Sequence, residues 1–183
     1  QKPERLAFLE EMRTALDGLR SMIENYAVLA AQLAESMTGT AAENALFIAE
    51  NCRTLLAGAP QTFAQGLQLV WFAHLCFVYE GRYAMALGRM DQYLYPFFEA
   101  DLRTGRLTEE EATALLENVF MKICERRAYL GGDDVVNIAV GGVKPDGSDA
   151  TNRLSFCILR AVGNVNFPGP NLSARIAPTT PED

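Results

Sequence analysis

The sequence predicts an α/β fold that is mainly helical and carries one βαβ unit near its C-terminus. Three observations predict it. Apolar residues recur at spacings of three and four through the first 130 residues, the signature of helices with one buried face. Helix-start signals, Thr62 with Gln65 and Thr108 with Glu111, punctuate that stretch. After Gly131-Gly132 the texture changes to two short β-rich runs on either side of one more helical segment.

Leu9, Met12, Leu16, Leu19, Ile23, Tyr26, Ala30 and Leu33 form a heptad-like stripe along one long helix, with Pro3 suited to its first turn. Such a stripe fits one side of an antiparallel helix pair, or a coiled coil. Residues 37–40 break it. Ala42, Ala45, Leu46, Ala49, Cys52 and Leu56 trace a second helix, stopped by Gly58-Ala59-Pro60. The third opens at Thr62, runs to about Tyr79 and is apolar nearly all round, so it should be buried. Glu80-Gly81-Arg82 loosens the chain. Pro96 removes a backbone donor, so the helical stretch beginning at Gly88 should kink or restart there. Gly105 suits a helix stop, and the next helix runs from Thr108 to about Arg127.

Residues 135–140 read as a strand, Lys144-Pro145-Asp146-Gly147 as a turn, and Ser148 or Asp149 as the cap of a helix running to Gly163. Residues 172–176 read as a second strand. Strand, helix, strand implies parallel pairing. Two strands do not make a stable sheet, so the remainder should come from further chain or a partner.

At 183 residues the chain is one domain's worth, with 49% apolar and 21% charged residues. Its net charge of −7 and pI near 4.8 argue against nucleic acid and anionic membranes as partners. The longest apolar run, 69–79, is interrupted by His74 and falls far short of the roughly 20 residues a spanning helix needs. The chain opens on Gln1 without an initiator Met or signal peptide, and its last residues read as the start of another element. It is expected to be a piece of a longer chain. Cys52, Cys76, Cys124 and Cys157 are far apart in apolar helical sequence, with one histidine and no CxxC. Free thiols in a reducing cytoplasm fit that pattern better than a zinc site.

His74 lacks a carboxylate at helical spacing and fits a core histidine better than a general base. Asp133-Asp134 beside glycines fits a solvated turn better than a cation site. Gly141-Gly142 after a strand lacks the rest of a phosphate-binding loop. The residues alone assemble no self-contained active site.

One stretch remains unexplained, GRMDQYLYPFFEADLRTGRLTEEEA at 88–112, with its crowded aromatics. It resembles a segment of the pyruvate formate-lyase-like glycyl radical enzymes, whose pattern there is GR-x-DQYLYP followed by LT-x-EEA. Three further blocks agree in order: PQTFAQGLQLVWFAHL (60–75), IAVGGVKPDGSDATNRLSF (138–156) and PGPNLSARI (168–176). They resemble P-x-TF-x-EALQ-x-x-WF-x-HL, IGG-x-x-x-DG-x-DATNELSY and PQPNLSVRI. The resemblance spans nearly the whole chain.

It implies that residues 1–183 are part of a single pyruvate formate-lyase-type domain, truncated at both ends. The fold would be a ten-stranded α/β barrel around a radical site. Residues 1–130 would supply a helical layer, and residues 131–183 the first two barrel strands with their crossover helix. Aromatics 93–98 would pack between that layer and the barrel. In the family a glycyl radical near the C-terminus oxidises a cysteine on a loop inside the barrel, and the thiyl radical abstracts a substrate hydrogen. Neither element matches a residue here, so no catalytic residue and no bound cofactor or metal is expected in these 183 residues.

The resemblance further implies a substrate wall at Tyr83 and Ala84, where dehydratases of small diols resemble one another in a His-Ser pair. Arg82, departing from the usual glycine, is a candidate to pair with a carboxylate substrate. Tyr129, or Leu130 after a one-residue slip, falls near a pocket aromatic. Leu56 and Gly66 depart from a common proline and alanine for structural reasons. The implied protein is a cytoplasmic lyase, dehydratase or formate acetyltransferase-like enzyme of anaerobic metabolism. It would cleave a C–C, C–O or C–N bond of a small organic substrate, act as a homodimer and need a radical S-adenosylmethionine activating enzyme. The competing class is a non-catalytic helical module that dimerises through its heptad stripe.

Overall fold

The computed structural model describes residues 3–82, 84–130 and 136–180, with side chains throughout except at 126–130. Two compact units divide the chain, Gln1–Pro60 and Gln61–Asp183.

The first unit is a helix pair, α1 (Pro3–Ser36) and α2 (Thr40–Ala57). The link between them is three residues long and turns at Gly39, whose φ of +61° suits glycine. At about 1.5 Å per residue, the 34 residues of α1 run roughly 51 Å and the 18 of α2 only roughly 27 Å. A helix that folds straight back can therefore cover only the second half of its predecessor. Burial on α1 obeys this limit: Ile23, Ala27 and Ala30 are buried, while Leu9, Met12 and Leu16 stand in solvent. The heptad stripe thus behaves as one side of a helix pair for half its length.

The second unit contains α3 (Phe63–Tyr79), β1 (Met85–Gly88), α4 (Met90–Tyr93), α5 (Tyr95–Arg103), α6 (Glu109–Leu130), β2 (Val136–Gly141), α7 (Arg153–Val165) and β3 (Asn171–Arg175). Local chemistry sets most boundaries. Thr62 accepts the Gln65 N–H to start α3. Pro96 falls in the first turn of α5, so the helix restarts there as expected. Gly105 leaves α5 at φ +69°. Thr108 and Glu111 exchange both capping-box bonds, at 2.8 and 3.1 Å, to open α6.

Three parallel strands lie in the order β1-β2-β3. β2 and β3 pair in unbroken register from Asn137–Asn171 to Gly141–Arg175, so the two expected strands are neighbours as the βαβ pattern requires. β1 corrects the expectation of two strands and of a purely helical stretch up to residue 130. Its four residues, MALG, include no β-branched side chain, and as a sequence they favour helix. Pairing with β2 overrides that preference. A second correction concerns α7. Its cap is Asn152, which accepts from the Leu154 and Ser155 N–H groups and receives the return bond from Ser155. Ser148 is occupied by Asp146, which takes both its N–H and its O–H. Asp149 is occupied by Thr151.

The core unites α3, the α4–α5 segment, α6, β2 and α7. Leu94 and Phe98 are buried in it, and Phe98 meets Phe63 edge-on at 5.7 Å between centroids. The aromatic run is therefore a packing surface against α3. It also accounts for Gly66, where a Cβ would lie 3.0 Å from Leu94. Asp101, buried at the end of the same run, accepts the Phe63 N–H at 2.8 Å and pairs with Arg106 at 2.6 Å.

Candidate functional site

At the C-terminal end of β2 the second and third blocks of unusual sequence meet. Asp91 in α4 has no exposed surface. Its Oδ2 accepts the Gly141 N–H at 2.7 Å and the Ser155 hydroxyl at 2.6 Å, and its backbone carbonyl accepts from Asn152 Nδ2 at 2.9 Å. Flanking side chains extend the junction. Arg89 donates to the Val143 carbonyl at 3.1 Å, and Gln92 donates to the Ala150 carbonyl at 2.8 Å. GR-x-DQ is thus a clamp that holds the turn 141–150 and the start of α7. Gly141 and Gly142 are needed there: both have positive φ, and a Cβ on Gly141 would sit 3.1 Å from the Arg175 carbonyl oxygen. Gly142 donates to that same oxygen at 2.8 Å, which excludes the phosphate-loop role for the pair's first amides: Gly141 serves Asp91 and Gly142 serves β3.

Of the candidate wall residues, Arg82 and Ala84 come just before β1, at the opposite end of the sheet. Arg82 is exposed, with its N–H bonded to the Phe77 carbonyl at 2.8 Å. Ala84 is exposed and immediately precedes β1. Tyr129 belongs to the last turn of α6, the element before β2. The first residues of those two strands, Met85 and Val136, are register partners, so Arg82 and Ala84 precede one strand and Tyr129 precedes its neighbour. Tyr83, the side chains of Tyr129 and Leu130, and Asp133-Asp134 lie outside the described residues.

The sheet has two unlike faces. Val136, Ile138 and Val140 are buried among the helices, and Leu87 and Leu172 pack on the same core. The alternate residues, Ala86 on β1, Asn137 and Ala139 on β2, and Asn171, Ser173 and Arg175 on β3, form the other face. It is small, polar and largely exposed. Extending the alternation back from Ala86 reaches Ala84. Sequence reasoning missed this face, although the every-second-residue recurrence of Asn171, Ser173 and Arg175 signals it.

No group of three or more potential metal ligands occurs among the described residues. Burial, followed by the charge of Glu80, raises the Cys76 thiol above its ordinary pKa. Burial also raises Cys157, with Glu109 adding to the effect. Both therefore remain thiols at neutral pH, and neither is set up as a nucleophile. Cys124 donates its S–H to the Gly169 carbonyl at 2.8 Å. His74 is buried beside Trp71, 5.6 Å between ring centroids, as a core residue would be. A surface hollow of about 880 Å³ lies between α5 and α6, bordered by Glu99, Arg103, Glu109 and Arg153. It contains none of the candidate wall residues, and two of its charges pair with each other, Arg153 with Glu109 at 2.6 Å.

This architecture matches known proteins throughout. A trans-4-hydroxy-L-proline dehydratase of Clostridioides difficile is 33% identical over 96% of this chain and 24% of its own length. The glycyl radical subunit of a 4-hydroxyphenylacetate decarboxylase from C. difficile strain 630 is 32% identical over 98% of this chain and 21% of its own. The crystal structure of a glycyl radical enzyme from Archaeoglobus fulgidus superposes with a TM-score of 0.83 at 34% identity, covering 91% of this chain and 23% of that one. The chain thus spans less than a quarter of the length of these curated relatives. The family described as pyruvate formate lyase-like matches residues 1–183. The clamp and the parallel strands it holds are accordingly those of a glycyl radical enzyme relative, and the chain belongs to the pyruvate formate lyase-like family.

Proposed function

We propose that these residues are part of the large domain of a glycyl radical lyase or dehydratase, in which β1, β2 and β3 are consecutive staves of the closed barrel. The observation that carries this reading is the sheet itself. Parallel sheets are normally covered on both faces, yet this one has a single apolar face under helices. Closure by further strands would complete its hydrogen bonding and turn the polar face inward. When present, the glycyl radical supplies the hydrogen abstraction, by way of a cysteine elsewhere in the protein, that starts cleavage of a C–C, C–O or C–N bond. Formate acetyltransferase-like chemistry belongs to the same reading.

The residues of this chain would form one wall of the reaction chamber. Tyr83, Ala84 and Tyr129 would shape it, and Arg82 would pair with a carboxylate on the substrate. A chamber of this kind needs fitted, water-poor walls, because solvent admits side reactions. The Asp91 clamp would hold β1, β2 and α7 in fixed relation, so the wall is rigid before substrate arrives. A radical S-adenosylmethionine activating enzyme, a homodimeric state and a cytoplasmic location complete the proposal.

The test is anaerobic activation of the full-length protein, followed by electron paramagnetic resonance and product analysis with small hydroxylated acids and alcohols. An organic radical signal together with turnover of one such compound is the expected result. Absence of a radical after activation would remove the enzymatic reading. The second reading, a helical dimerisation module, is favoured by the exposed Leu9, Met12 and Leu16. It requires a dimer that Leu9→Ser dissociates.

A further inference from the structure

β1 and β2 do not run in step. Met85 pairs with Val136 and Ala86 with Asn137, but the residue opposite Ile138 is Gly88 and not Leu87. Leu87 is therefore an extra residue in β1, and the strand bulges there while β2 and β3 keep unbroken register. The glycine that follows makes this possible. Gly88 has a φ of +71°, a conformation costly to residues with side chains. Open space lies where its Cβ would be, so backbone geometry alone calls for glycine.

The bulge decides which side chains of β1 face away from the helices. Side chains alternate along a strand, so a slip of one residue exchanges its two faces. Downstream of the bulge the chain is anchored, because Arg89 donates to the Val143 carbonyl and Asp91 accepts the Gly141 N–H. The slip open to it is therefore upstream. Closing the bulge against that anchor would set Leu87 opposite Asn137 and Ala86 opposite Val136. The exposed Ala84 and Ala86 would turn toward the helices, and Met85 and Leu87 would take their place. Two long apolar side chains would then stand where the fold presents two methyl groups.

Two contacts resist this slip. Leu87 packs on the core, and its carbonyl accepts the Tyr93 hydroxyl at 2.9 Å. Tyr93 lies two residues after Asp91 on α4, so one short helix grips both the end of β2 and the bulge of β1. Burial, then the Asp91 charge, raises the pKa of the phenol, which thus keeps the proton it donates.

We infer that Tyr93 is a positioning residue that locks the register of β1, so that Ala84 and Ala86 face the reaction chamber in place of Met85 and Leu87. The lock keeps this stave of the wall lined by small side chains and leaves the space beside it to the substrate. This inference rests on the barrel reading given above.

The test uses the full-length protein without radical activation, so it is independent of turnover. Met85→Cys and Ala86→Cys are each made alone and together with Tyr93→Phe. Labelling at each position by methyl methanethiosulfonate is followed by peptide mass spectrometry. With Tyr93 present, Ala86→Cys should react about tenfold or more faster than Met85→Cys, because the exposed position reaches the reagent. Tyr93→Phe removes one hydrogen bond that holds the register, so labelling of Met85→Cys should rise about fivefold while that of Ala86→Cys hardly changes. Hydrogen exchange in the Tyr93→Phe protein should quicken at residues 85–88 and stay unchanged in α3 and α6, which separates lost register from general loosening. Three results overturn the inference: equal labelling of the two positions with Tyr93 present, a Met85→Cys rate that Tyr93→Phe leaves unaltered, or faster exchange throughout. A radical signal in the activated protein alongside any of them would sink the register lock and leave the enzymatic reading intact. Tyr93-dependent labelling without any radical would do the reverse.

Discussion

Asp91 and Phe8 occupy environments opposite to those their chemistry suggests. The carboxylate exposes 0% of its surface, whereas the phenyl ring exposes 58%. The difference lies in what the fold offers each of them. Burying a carboxylate costs several kcal/mol unless donors replace water, and Asp91 receives two on one oxygen. Phe8 lies on the part of α1 that a shorter α2 does not reach, so burial has nothing to bury it against. Hydrophobicity by itself ranks the two the wrong way round. Geometry ranks them correctly.

The largest effect that tests this contrast is at the clamp. Asp91→Ala leaves the Gly141 N–H and the Ser155 hydroxyl without their acceptor. At about 1–3 kcal/mol for each unsatisfied buried group, the protein should lose about 3 kcal/mol or more in urea unfolding. Asp91→Asn keeps an acceptor oxygen and should lose distinctly less. Equal losses would mean that the charge, and not the pair of hydrogen bonds, stabilises the junction.

Next in size is Gly141→Ala. Left-handed backbone costs a side-chain-bearing residue about 1–2 kcal/mol, and here the added Cβ also meets the Arg175 carbonyl at 3.1 Å. About 2–3 kcal/mol is expected. Gly147→Ala has a similar φ, +84°, but open space around the Cβ, so it should show the backbone cost alone. A difference near zero between the two would remove the close approach of β3 from the account.

These pairs also show what the sequence reveals. Helix starts at Thr62 and Thr108, the restart at Pro96 and the stop at Gly105 rest on bonds between residues a few positions apart, so a local pattern discloses them. The clamp joins Asp91 to Ser155, 64 residues away, and Arg89 to Val143, 54 away. No local signal carries such a link; only the resemblance to a family hints at it. β1 escaped for a related reason, because its strand state is imposed by pairing with Val136 and Asn137 and not by its own residues. Among the wall candidates, Arg82 and Ala84 precede a strand that the sequence did not disclose, so their position beside β2's neighbour was not legible either. The polar face through Arg175 was legible as alternation, but alternation needs the neighbouring strands before it identifies a surface.

Smaller effects sharpen the local side of the contrast. Thr108→Ala removes the acceptor for the Glu111 N–H and should cost about 1 kcal/mol. Tyr93, whose hydroxyl donates to the Leu87 carbonyl at 2.9 Å, is a titrating case. Burial, then the nearby Asp91 charge, raises its pKa above the ordinary 10. A raised folded-state pKa stabilises the neutral phenol, so its contribution is complete below pH 10 and declines as pH climbs beyond that point. Tyr93→Phe should flatten the alkaline part of the stability profile and leave the profile at neutral pH nearly level.

The smallest effect belongs to the outer half of α1. Leu9, Met12 and Leu16 are 51%, 48% and 56% exposed, so Leu9→Ser and Leu16→Ser should each change unfolding free energy by no more than about 0.5 kcal/mol. Ile23→Ser, one heptad on from Leu16 but only 3% exposed, should cost several times as much, because it removes apolar packing and buries a hydroxyl. Chemically the substitutions are nearly alike, and only the reach of α2 separates them. If Leu16→Ser proved as costly as Ile23→Ser, the outer stripe would have a partner of its own. The exposure of Phe8 would then no longer be a matter of helix length, and a second copy binding through the heptads would become the first thing to measure, by sedimentation of the native and Leu16→Ser proteins at matched concentration.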